Sequence, residues 1–275
     1  MTLPTTSQTP RRRLHRVWQL LPAQAQKPLR SLLSATGLLP RLQRLVTPGA
    51  SDKHGFITLT PETPGALTSS LAHIAQHGPS GDYYEFGLFR GYTFWHAQQT
   101  ASELGLDQMR FFGFDSFAGL PLPNGIDAET GEFNAGDYAC SEAEVRALLS
   151  SRGCDWTKSF LTKGYYDQSL SAELKHRLNP GMVAVALIDC DLYHSTVPVL
   201  HFLADRLQDG AILLFDDWNC FGKSDQHGQR RAFHEFLAAN PGWAITPFLS
   251  FGWHGQAFVV RRRMAATQAS LEQTA

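Results

Sequence analysis

Four carboxylates, Asp189, Asp191, Asp216 and Asp217, stand at the ends of two apolar runs, AVALIDCD (184–191) and AILLFDDW (211–218). A parallel strand buried on both faces reads as an unbroken apolar run, and open α/β sheets bind ligands at the carboxyl ends of such strands. Carboxylates converging there repel one another unless something positive lies between them. A hard divalent cation with oxygen ligands is the economical answer. Two adjacent acids could instead begin a helix, but a third acid on the neighbouring run favours the metal.

A second constellation lies upstream. In DYYEFGLFRG (82–91), Glu85 closes a strand while Gly87 and Gly91 bracket a turn into a helix, so that a ligand can approach the backbone and meet a helix N-terminus. The spacing departs from GxGxxG, and a glycine turn needed only for packing would look the same. Asp115, in FFGFDSFAGLP (111–121), adds another acidic strand end. Acids at the tips of consecutive strands are placed to grip ribose hydroxyls. Phe117 covers an adenine ring or joins Phe111, Phe112 and Phe114 in the core.

The elements that must position these groups follow from periodicity. Strands are expected at 82–86, 111–114, 159–162, 183–188 and 211–215, with helices at 66–77, 92–104, 141–152, 172–178, 196–207 and 229–239. Ser141 and Glu144 form a capping box for the third of these helices. Residues 245–249 and 257–260 pair as an antiparallel hairpin. Alternating strands and helices dictate an α/β fold with a parallel sheet, made mixed by that hairpin. Between Ala118 and Ala139 runs an aperiodic Gly/Pro/Asp-rich stretch, long enough to be a substrate loop or lid.

Composition bounds the rest. The 275 residues are 43% hydrophobic, ample for one core. No run reaches the roughly 18–20 apolar residues of a membrane span. Cys140, Cys154, Cys190 and Cys220 form no CxxC pair, and no secretory signal opens the chain, so a cytoplasmic protein with reduced thiols is expected. Residues 1–50 hold eight Lys/Arg and no acid, leaving 16 basic against 25 acidic side chains in the remainder. Such a segment could lie on an anionic membrane, serve as a transit peptide or remain a tail broken by Pro22, Pro28 and Pro40.

EFGLFRG, FDSFAGLP, KGYYDQSL (163–170) and above all IDCDLYHST (188–196) followed by FDDW (215–218) resemble the macrocin O-methyltransferase family, class I enzymes dependent on S-adenosylmethionine and a divalent metal. The similarity covers roughly residues 81–260, and the 27 residues from Asp189 to Asp216 match the family's spacing. The resemblance implies a Rossmann-like, mostly parallel seven-stranded sheet with an antiparallel C-terminal hairpin and helices on both faces. It divides the chain into a basic extension (1–52), a methyltransferase domain (53–262) and a tail (263–275). It implies that Glu85 and Gly87 line the methionine end of S-adenosyl-L-methionine and that Asp115 holds its ribose. Gly91, Ser116 and Asp189 complete the cofactor contacts, while Asp189, Asp216 and Asp217 bind Mg²⁺ or another divalent cation.

The expected reaction is O-methylation of a sugar or glycosylated small molecule by a homo-oligomer, with no nucleic-acid partner. Peripheral attachment to the inner face of an anionic membrane is assigned to residues 1–50. The family's histidine base has no counterpart in residues 118–158, so His194, His254 and Asp191 become candidates for the proton acceptor. A metal-dependent hydrolase or phosphatase, and a catalytically silent methyltransferase-like subunit, are the alternatives. The block 218–233, carrying Lys223, His227, Arg230 and Arg231, could receive an anionic substrate or simply begin a solvated helix.

Overall fold

The computed structural model describes residues 50–51, 57–129 and 131–263, and the chain divides into units Met1–Thr60 and Pro61–Ala275. Of the first unit the described part is an antiparallel pair, β1 (Ala50–Ser51) and β2 (Ile57–Thr58). Both the basic segment up to residue 49 and the tail from 264 onward lie outside the described residues.

In the second unit the apolar runs form strands β3 (Asp82–Phe86), β4 (Phe111–Asp115), β5 (Ser159–Lys163), β6 (Val183–Ile188) and β7 (Ile212–Phe215). The hairpin β8 (Trp243–Phe251) and β9 (Gly255–Arg262) follows. The sheet order is β5-β4-β3-β6-β7-β9-β8, parallel from β5 through β7, with β9 antiparallel to both β7 and β8. Strand order reverses between β3 and β6, which opens a crevice at their carboxyl ends.

Helices α1 (Thr63–His77), α2 (Tyr92–Glu103), α3 (Gly125–Glu129), α4 (Glu142–Ser151), α5 (Tyr166–Ser169), α6 (Ala172–Leu178), α7 (Tyr193–Leu203) and α8 (Gly228–Ala239) connect the strands. Alternation along each strand sends successive side chains to opposite faces. Tyr83, Leu187, Ile212 and Leu214 pack with Leu67 and Leu71 of α1, Phe94 of α2 and Leu149 of α4. Tyr84, Phe86, Ile188 and Phe215 pack on the other face with Leu174 of α6, Val199 and Leu200 of α7 and Phe233 of α8. Each face is thus covered by helices, which is why the central strands carry no polar alternation.

Several boundaries differ from the periodicity reading, most by a single residue and a few by more. Helix α1 starts at Thr63, with Pro in its first turn where the missing N–H is no loss. Helix α7 starts at Tyr193, three residues before the expected Thr196, because a distant carboxylate serves its first turn. The aperiodic stretch contains the short helix α3, while the hairpin runs beyond both expected strands. Ser141 is the N-cap of α4, its Oγ accepting from Glu144 N at 3.3 Å. Among the described residues no helix is long and apolar enough to cross a membrane.

Candidate active site

The ends of β3 and β6 approach so closely that a β-carbon at Gly87 would lie 1.7 Å from the Asp189 carbonyl oxygen. Gly87 also has φ +95°, a conformation that side chains disfavour. Asp189 N donates to Phe86 O at 2.8 Å and Gly87 N to Phe114 O at 2.9 Å, so the turn is pinned to both neighbouring strands. Glycine at 87 therefore brings the upstream turn against the first of the carboxylates.

Glu85 lies directly beneath this turn and is fully buried. Tyr83 Oη donates to its Oε2 at 2.5 Å and Thr93 Oγ1 to its Oε1 at 2.7 Å. Burial nonetheless pushes its pKa up to about 8, the two hydroxyl donors opposing the rise. A buried acid of that kind is primed to be ionised by an incoming cation.

At the tip of β4, Asp115 faces the same turn. Its Oδ2 accepts from Leu88 N (2.7 Å) and Phe89 N (3.2 Å), and its Oδ1 from Phe117 N (2.6 Å). Burial raises its pKa and these backbone donors oppose the rise. Ser116 Oγ donates to Gly119 O at 2.7 Å, and Gly91 is the left-handed residue preceding α2. Phe117 is buried among the helices and strands of its face.

The carboxylates of Asp189, Asp191 and Asp217 present oxygens within 4.8 Å of one another. Asp191 N donates to Asp217 Oδ2 at 2.9 Å, and Gln229 brackets Asp217, donating Nε2 to Oδ2 (3.2 Å) and accepting Asp217 N (3.0 Å). Asp216, like Asp217 in the turn that follows β7, has other partners. Its Oδ1 accepts from Thr63 Oγ1 at 2.7 Å, and Oδ2 lies 3.5 Å from His254 Nδ1. Burial first, then mutual repulsion, raises the pKa of Asp189 and Asp191 well above the carboxylate range and that of Asp217 to about 8. Burial also raises Asp216, opposed by His254 and Thr63. The donor set is wholly oxygen, with Asp191 and Asp217 buried and Asp189 partly so, and it fits a hard divalent ion, whose charge would hold the carboxyls ionised.

The two histidine candidates differ. His254 is buried, its Nδ1 lies 2.7 Å from the Asp216 carbonyl oxygen, and its Nε2 has no hydrogen-bond partner among the described residues. The His194 ring is 46% exposed, with Nδ1 2.7 Å from Oδ2 of Asp127.

The stretch 118–139 covers this end of the sheet through several ties. Glu132 Oε2 accepts from Phe221 N at 2.8 Å, Glu129 Oε2 meets His227 Nε2 at 3.2 Å, and Phe133 packs on Phe221. Of the downstream cations, Arg230 pairs with Asp225 and Arg231 with Glu235, while Lys223 is exposed. Thr93 and Gln229 escaped the sequence reading because each acts as a partner to another side chain. The only sequence hint was a polar residue in the first turn of a helix that follows a site strand.

The family model for macrocin-O-methyltransferase (TylF) matches residues 65–241, which contain every candidate above except Thr63 and His254. Among solved structures, the O-methyltransferase NovP is 21% identical, covering 73% of this chain and 79% of its own, with a TM-score of 0.58. The calicheamicin methyltransferase CalS11 is 19% identical, covering 92% and 94%, with a TM-score of 0.60. An O-methyltransferase from Bacillus cereus in complex with SAH is 12% identical over 90% and 100%, with a TM-score of 0.51. No curated protein sequence matches this chain. The family match leaves no room for the hydrolase alternative, and the class I methyltransferase fold agrees with it. The chain belongs to the TylF macrocin-O-methyltransferase family and is an S-adenosylmethionine-dependent O-methyltransferase.

Proposed function

We propose that the protein methylates a hydroxyl of a sugar or glycosylated small molecule and depends on a divalent cation, Mg²⁺ being best suited. The observation that carries this reading is the group of carboxylates at the ends of β6 and β7, set against the Gly87 turn. Asp189 and Asp217, with Asp216 beside them, are the residues that would hold the ion, and Asp191 lies alongside. The ion would lower the pKa of a coordinated acceptor hydroxyl and orient it.

The chain's own residues divide the remaining work. Glu85, braced by Tyr83 and Thr93, meets the positively charged methionine end of the cofactor. Asp115 reaches the ribose, exchanging one of its backbone donors for a sugar hydroxyl. The stretch 118–139 excludes water from the acceptor. His254, enclosed and tied to the Asp216 carbonyl, orients that carboxylate and does not meet substrate. CalS11, which shares the fold, is described as a TDP-rhamnose 3′-O-methyltransferase, and a nucleotide-linked sugar is the first acceptor to try.

We also assign the methyltransferase domain to residues 53–262, a tail to 263–275, and to residues 1–50 attachment to an anionic membrane surface. A homo-oligomer is part of the proposal. The test is calorimetric binding of S-adenosylhomocysteine, followed by a mass-spectrometric screen of sugar nucleotides beginning with TDP-rhamnose, with Mg²⁺ or EDTA. Binding together with a metal-dependent gain of one methyl supports the reading. Methylation unaffected by EDTA removes the metal from it.

A further inference from the structure

Helix α7 begins directly after the carboxylates of β6, and the residue preceding it, Leu192, offers no side-chain cap. The first N–H groups of a helix need acceptors from somewhere. They find one in Asp127, 66 residues upstream in the stretch that covers the site: Oδ1 accepts from Tyr193 N at 2.8 Å and Oδ2 from His194 N at 3.0 Å. The same Oδ2 lies 2.7 Å from Nδ1 of the His194 ring. Asp127 is 1% exposed, so this contact is made away from competing water. Gly125, at the start of the same short helix, packs against the ring, where a β-carbon would lie 3.4 Å from Cε1.

A carboxylate accepts, so the ring nitrogen facing it carries the proton and the other nitrogen carries the lone pair. We propose that Asp127 is a positioning residue that fixes His194 in the Nδ1–H tautomer, leaving Nε2 to take the proton of the acceptor hydroxyl. The inference rests on the methyl-transfer reading above. In that step the hydroxyl proton passes to Nε2 and the oxygen's electron pair forms the new bond to the methyl carbon. The carbon–sulfur pair returns to sulfur, giving S-adenosylhomocysteine, and the half-exposed imidazolium returns its proton to solvent.

Because Asp127 belongs to the covering stretch, the base acquires its working tautomer only when that stretch is seated. Glu129 on His227 and Glu132 on Phe221 N hold the seat. Acceptor enclosure and proton acceptance are thereby one event.

The test uses the full chain labelled with ¹⁵N-histidine and bound to S-adenosylhomocysteine, with His194 assigned by its loss in His194→Gln. At a pH where the ring is neutral, wild type should show Nδ1 protonated and Nε2 bare. Asp127→Asn should shift that tautomer ratio at least tenfold, with S-adenosylhomocysteine affinity held within about threefold. An Nε2–H ring in wild type, or an unchanged ratio in the variant, overturns the proposal, and the wild-type measurement stands even if the variant fails to fold. With whichever sugar nucleotide the screen returns, Asp127→Asn should lower kcat with little change in KM. In a His194→Ala background it should lower kcat no further. Additive losses would assign Asp127 a structural role only. Failure to bind S-adenosylhomocysteine, by contrast, strikes the methyl-transfer reading and leaves the nitrogen shifts to decide the tautomer.

Discussion

Gly87→Ala asks whether the contact between the cofactor turn and the carboxylate strand organises the site. Two penalties act together. The backbone is at φ +95°, and a left-handed conformation costs a residue with a β-carbon about 1–2 kcal/mol. The added carbon would also sit 1.7 Å from the Asp189 carbonyl, so β3 and β6 must part at their ends until ordinary contact is restored. That movement breaks the hydrogen bond from Asp189 N to Phe86 O and strains the one from Gly87 N to Phe114 O. Each is worth about 0.5–1.5 kcal/mol net. The total is about 2–5 kcal/mol, which for a domain of this size lowers the melting temperature by roughly 4–20 °C. Gly105→Ala is the internal control, since φ there is +73° and nothing lies within 4 Å of a β-carbon. It carries the backbone penalty alone. Scanning calorimetry should place Gly87→Ala well below Gly105→Ala, and titration with S-adenosylhomocysteine should show at least tenfold weaker binding for the first and none for the second. Equal melting temperatures with equal affinities would refute the argument.

Asp115→Ala should weaken S-adenosylhomocysteine by about 1.5–3 kcal/mol, the range for hydrogen bonds to a charged group, and unchanged affinity by calorimetry would take Asp115 out of the pocket. Asp189→Asn and Asp217→Asn should each abolish metal-dependent turnover while leaving S-adenosylhomocysteine binding largely intact; turnover that survives in either variant counts against the metal role. Glu85 and Asp217 titrate near 8 in the folded protein because they are buried, far above the range of an unfolded chain. From about pH 4.5 to 8 the folded state therefore holds protons that the unfolded state has released, and metal-free stability should fall as pH rises, by up to about 1.4 kcal/mol per pH unit per group. Melting curves in EDTA should show that decline and Mg²⁺ should flatten it, whereas a melting temperature rising through the window contradicts it. Basic residues contribute about 1 kcal/mol each near an acidic leaflet, so the full chain should co-sediment with anionic vesicles at low salt and residues 53–275 should not.

The parts of the fold legible in the sequence are those that local periodicity dictates. The buried strand 183–188 was read to the residue because two covered faces demand uninterrupted apolar side chains, and 82–86, despite Asp82 and Glu85, from its aromatic residues and the glycine turn that ends it. The carboxylates were legible as a group because acids directly after such runs have no packing reason to be there. How they pair was not. Asp216 and Asp217 are adjacent in sequence, yet in the turn after β7 one meets Thr63 and His254 and the other Asp191 and Gln229. The partner of His194 was hidden for a different reason: Asp127 lies in a stretch without periodicity, and only the tertiary fold places it over a helix that lacks its own cap.

That missing cap explains why the early start of α7 matters for function. A helix beginning with Leu-Tyr-His would ordinarily fray, and Tyr193 and His194 would remain in the preceding loop. Asp127 supplies the acceptor for both N–H groups, which extends the helix toward the carboxylates and fixes the histidine on its first turn. A serine or aspartate at 192 could cap the helix locally, but the histidine's orientation would then no longer depend on the covering stretch. Leu192 instead packs with Phe133, Cys220 and Phe221, an apolar contact between the same two segments. Polar and apolar ties thus converge on one consequence: the first turn of α7 is complete only with the cover in place, so an open, water-filled site has no organised proton acceptor.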